Sequence, residues 1–177
     1  MIGRFGAFWG LAGVILLLGS AIYRLTPLFI SAFSYDWRWY HWVSLALFVL
    51  FMAYAEGYRA FQQAFSPRVA ARARYLRDNP NVFHAIFAPF FCMAYFHATK
   101  RRKITSISVT VGIIILVIMV RFLPQPWRGI IDGGVVVGLA WGLISLFIFS
   151  LRALTSEEFA CSPEVPDACS DSRCAKT

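Results

Sequence analysis

The chain has 177 residues, of which 59% are hydrophobic and 17% aromatic, against only 15% charged. A soluble domain carries roughly a quarter of its residues charged, so this composition excludes an ordinary water-soluble domain and makes lipid the solvent for most of the chain. The formal charge of +8 does not point to nucleic acid, because the cations collect at the edges of apolar runs, where they suit the anionic leaflet of a membrane.

Inside a bilayer every backbone amide must be satisfied within its own segment, and the apolar runs are too continuous for alternating barrel strands. The expected fold is therefore an all-α, polytopic helical bundle. The first run extends from Phe5 to about Tyr23 and more loosely to Phe33, and it reads as span one. Gly19-Ser20-Ala21 also satisfies the small-residue rule for signal cleavage, which leaves a removed leader as the alternative. Tyr35, Trp37, Trp39, Tyr40 and Trp42 then crowd around Asp36, Arg38 and His41, as in the aromatic belt where a span meets the headgroup layer.

Span two is expected from about Trp42 to Phe61, close to the roughly 20 residues that cross a core of about 30 Å. Ser66-Pro67 reads as an N-cap with proline in the first turn, and Asp78-Asn79-Pro80 as a stop, which predicts a short helix from Pro67 to Arg77. Its narrow apolar stripe, Val69, Ala73 and Leu76, is surrounded by Arg68, Arg72, Arg74 and Arg77, an arrangement suited to lying on anionic headgroups.

Val82 to Thr99 is apolar but short, is interrupted by Pro89, and precedes Lys100-Arg101-Arg102-Lys103. A full crossing would put that cluster and the arginine helix on opposite sides, against the tendency of short cationic loops to stay in the cytoplasm. A re-entrant or interfacial element avoids the conflict; five spans is the alternative. Ile104 to Phe122 and Ile130 to Leu151 are clear spans joined by a proline-rich turn, Leu123 to Trp127. With four spans, all but Arg24, Arg38, Arg121 and Arg128 of the 17 cations lie on the inner side, which orients both ends to the cytoplasm of a bacterial inner membrane. The bundle then occupies residues 1–154, and residues 155–177 form an acidic, disordered cytoplasmic tail.

Gly134, Gly138 and Gly142, four apart on one face of the last span, let a neighbouring backbone approach closely. The neighbour is expected within the chain, with Gly6 and Gly10 of span one as candidates; self-association or a membrane-protein partner is the other possibility. Glu56 and Arg59 form an i, i+3 pair near the inner end of span two, where they are expected to pair with each other and reach water, or else to serve with Asp132 as an ion or proton relay. Asp132 has Arg128 one turn earlier and Arg121 across the hairpin, enough for a local salt bridge.

His84 and His97, 13 residues apart, are about 220° out of phase on a straight helix and cannot share a metal or haem. Cys92 between them reads as a buried small hydrophobe. Cys161, Cys169 and Cys174 lack the paired spacing of a zinc site. No cofactor is expected, and no catalytic set converges. The leading expectation is a non-enzymatic accessory or assembly subunit; a small transporter or channel component using Glu56, Arg59 and Asp132 comes second. A membrane enzyme acting on lipid headgroups comes third, with the Arg68 to Arg77 helix on phosphate and His84 or His97 as acid or base.

Overall fold

Four helices are long and apolar enough to cross a membrane, Gly3–Ala32, Trp39–Asp78, Lys103–Arg121 and Trp127–Thr155, and the described residues contain no strand. The protein is an integral membrane α-helical bundle. The structure, a computed structural model, describes residues 2–78, 86–95 and 100–155, with the backbone alone at residue 2 and residues 100–102. His84, His97, the Asn79-Pro80 stop, the tail with its three cysteines, and the outer parts of the Val82 to Thr99 segment lie outside the described residues.

The helices are α1 (Ile2–Ala32), α2 (Trp39–Met52), a π-helical segment (Ala53–Phe65), α3 (Ser66–Asp78), the five-residue α4 (Ala88–Cys92), α5 (Lys100–Arg121) and α6 (Trp127–Thr155). The expected break at Ser66 does not occur. Ser66 is helical (φ −60°, ψ −44°) and its N–H donates to the Phe61 carbonyl, so α2, the π segment and α3 form one run. Pro67 has no N–H to give a straight α-helix, and a local change to i→i+5 bonding is one way a membrane helix accommodates a proline.

The chain forms two compact units. One holds the described residues of Met1–Val14, Pro67–Val111 and Ile148–Thr177. Its core is Ala7, Leu11 and Val14 of α1, the stripe Val69, Ala73 and Leu76 of α3, and Phe91 of α4. Glycines set the spacing at two places: a Cβ on Gly10 would lie 2.8 Å from Cys92 Sγ, and one on Gly13 2.5 Å from the Pro89 ring. Arg77 Nη1 donates to the Leu154 carbonyl at 3.0 Å, and Ser106 Oγ to the Met93 carbonyl at 3.1 Å. The Tyr95 and Thr110 hydroxyls are hydrogen-bonded to each other.

One face of the arginine helix, including Arg72, is therefore packed inside the protein. Arg72, expected at headgroups, is 2% exposed; its Nε donates to the Phe91 carbonyl at 2.7 Å, and its guanidinium carbon lies 4.5 Å from the Phe91 ring centroid. A planar guanidinium suits a site that offers both a carbonyl and an aromatic face, and α4 offers both. Ala70 and Ala71, which the narrow-stripe reading left out, are buried too, so small side chains widen the face that α3 can bury.

The second unit comprises Ile15–Ser66 and Gly112–Phe147. The aromatic belt folds in on itself there: Phe33 stacks on Trp37 at 5.0 Å, and His41 meets Trp37, Tyr40 and Trp127 edge-on. His41 is 5% exposed, and its Nδ1 accepts the Arg38 N–H that opens α2. In contrast, the membrane-crossing window of α5 is 0% buried.

Candidate functional site

The glycines of α6 meet the second helix, not Gly6 or Gly10. A Cβ on Gly138 would lie 2.7 Å from Glu56 Oε2, and one on Gly142 would lie 2.5 Å from the Phe61 ring; Gly134 faces Phe48 and Met52. The face is thus occupied within the chain. On an adjoining face of α6, Gly133 and Gly129 receive Phe29 and Ala32 of α1.

The π segment explains this register. On an α-helix, residues five apart point about 140° away from each other, so Glu56 and Phe61 could not both face α6. With i→i+5 bonding they can, and so can Gly57 and Gln62. Trp141 covers both of the latter: a Cβ on Gly57 would lie 2.9 Å from the indole, and Trp141 Nε1 donates to Gln62 Oε1 at 2.9 Å. Four-residue steps on α6 therefore match five-residue steps on its partner.

The same widening separates Glu56 from Arg59. Arg59 is exposed, no ion pair joins the two among the described residues, and Glu56 Oε2 is buried without a hydrogen-bond partner. The expected pair thus fails, because three residues along a π turn no longer bring two side chains together. Asp132 behaves as the local reading anticipated. Its Oδ2 lies 3.6 Å from Arg128 Nε, and the residue is 5% exposed. On α6, however, Asp132 points about 120° away from Gly138, so it shares no face with Glu56, and the three-residue relay is not assembled.

No family model, curated protein or solved structure matches the chain. What the site does rests on its own chemistry.

Among the described residues, no group of three His, Cys, Asp or Glu is placed to hold a metal ion. Cys92 is 2% exposed, and burial pushes its thiol up to about 12 despite the nearby Arg72 charge. Arg68, Arg74 and Arg77 are half-buried, and Arg74 and Arg77 both lean on Asp78. Sequence reasoning missed Gln62, Ser66, Ser145 and the buried role of Arg72. The five-residue spacing of Gly57 and Gln62 was the available signal, and it is invisible to a search for helical period 3.6.

Proposed function

We propose that the chain is a small component of a membrane transporter or channel in which Glu56 takes up and releases a proton. The observation that supports this reading is the Glu56 oxygen buried without a partner against Gly138. An unpaired carboxylate within a span costs several kcal/mol, roughly, and is a functional group by default. The proton suits the site better than a metal cation does. A hard cation needs a shell of about six oxygens, whereas α6 offers Glu56 the bare backbone of Gly138.

In this reading the membrane is a bacterial inner membrane with both ends in the cytoplasm, and the exposed Lys103, with the half-buried Arg74 and Arg77, meets anionic headgroups. Replacing Glu56 by Gln keeps the shape and removes the proton site. In vesicles carrying the full chain and a pH-sensitive dye, Glu56→Gln is expected to reduce proton entry by about a hundredfold or more; an unchanged rate refutes the reading.

A non-enzymatic assembly subunit is the second reading, and α5 favours it. The helix is exposed along its span, and a Cβ on Gly112 would meet nothing within 4 Å. Such a helix is open to a partner helix.

A further inference from the structure

Glu56 is not the only buried polar group without a hydrogen-bond partner. Ser66, at the end of the π segment, is 0% exposed, Ser145 on α6 is 6% exposed, and neither Oγ has a hydrogen-bond partner. Hydroxyls on these helices ordinarily bond back to their own backbone. Ser20, Thr26, Ser31, Thr110 and Thr155 each donate to a carbonyl three or four residues earlier. Ser66 and Ser145 do not, although both are buried.

Helical register puts both on the faces that carry the Glu56–Gly138 contact. Glu56 meets Gly138 and Phe61 meets Gly142. Five residues beyond Phe61, and bonded through its N–H to the Phe61 carbonyl, comes Ser66, the first residue of α3. Ser145 lies two turns beyond Gly138 on α6, only about 20° out of line with it. Ser150, whose hydroxyl is also buried and unpartnered, points about 140° from Ser145 and belongs to another face. α6, the element packed on Glu56, presents no titratable group there: Gly138 meets the carboxylate and Trp141 covers Gly57.

We propose that Glu56, Ser66 and Ser145 line a hydrated proton path along this seam, with water as the ligand of the two hydroxyls. The inference rests on the reading of Glu56 given above. A buried hydroxyl that does not bond to its own helix has one donor and two acceptor sites for bridging water. Glu56 as the acid passes its proton to a bound water, and that water passes one of its own protons onward. Each serine oxygen accepts a proton from one side and releases its own to the other, and the Glu56 carboxylate regains a proton from water on the entry side, so only O–H bonds form and break and every group returns to its starting state.

The test uses the full chain in vesicles of phosphatidylcholine and phosphatidylglycerol loaded with a pH-sensitive dye, with proton entry driven by a potassium diffusion potential. Ser66→Ala and Ser145→Ala are each expected to slow entry about tenfold or more, while Ser66→Thr and Ser145→Thr, which keep the hydroxyl, retain most of the rate. Removing a hydroxyl without a partner takes no protein hydrogen bond away, so the alanine variants are expected to match the parent in helicity and elution volume. If both alanine variants match the parent rate while Glu56→Gln abolishes entry, the path is overturned and the role of Glu56 stands. If the parent shows no proton entry, or Glu56→Gln leaves it unchanged, both fall.

Discussion

At Ala94 the backbone turns left-handed (φ 63°) directly after α4, a conformation that costs a residue with a Cβ about 1–2 kcal/mol. Ala94→Gly is therefore expected to stabilise the protein by about 1 kcal/mol, read as a higher unfolding midpoint in detergent; a lower midpoint would mean that the Ala94 methyl makes contacts worth more than the strain. Cys92, two residues earlier, titrates near 12 when folded against a reference of 9.0. Above pH 9 the unfolded thiol loses its proton and the folded one keeps it, so stability is full below pH 9 and falls as pH rises toward 12. With the tail cysteines replaced, Cys92 should resist maleimide at pH 8 until the protein is unfolded; rapid labelling of folded protein would contradict this burial. Reading Cys92 as a small hydrophobe succeeded because thiols inside apolar runs are usually buried. Reading Arg72 as a headgroup contact failed because sequence shows the charge but not the Phe91 carbonyl and ring that receive it.

Glycines on different helices make opposite demands. At Gly142 an added methyl runs into the Phe61 ring, whereas at Gly112 it meets open space. Gly142→Ala is expected to cost about 1–3 kcal/mol by overpacking, while Gly112→Ala is expected to be neutral or to stabilise by up to about 1 kcal/mol through helix propensity; equal effects at both sites would show that the seam yields as easily as open space. The spacing of Gly134, Gly138 and Gly142 was legible because close helix packing needs small residues four apart. The partner was not, because the π segment presents Glu56, Phe61, Gly57 and Gln62 at a period that sequence patterns do not advertise. The apparent cap at Ser66-Pro67 misled for the same reason, since the residues that begin a helix in water can also lie inside a π-to-α junction in lipid.

Across the whole molecule, the four spans were readable because bilayer thickness imposes a minimum length on any apolar helix. The connections were less readable: only α4 and its flanking turn are described between α3 and α5, and α4 has five residues, too few to cross. The contacts also order the helix ends. A Cβ on Gly3 would meet the Arg77 carbonyl, and Arg77 bonds to the Leu154 carbonyl, so the start of α1 and the ends of α3 and α6 gather together. Single cysteines beside Arg4 and Arg152 are expected to label from one side of the membrane and a cysteine at Gln125 from the other; labelling of Arg4 and Arg152 positions from opposite sides would refute an even number of crossings.

Six tryptophans are present, and Trp37, Trp42 and Trp127 sit in ring contacts around Phe33 and His41. Trp141 stands apart from them, its indole resting on Gly57 and its N–H held by Gln62. Indole emission depends on the polarity and hydrogen bonding around the ring, so Trp141 is a native optical marker resting on Gly57, the residue after Glu56. A chain keeping only that tryptophan would report any opening of the seam as a change in colour, without an attached dye.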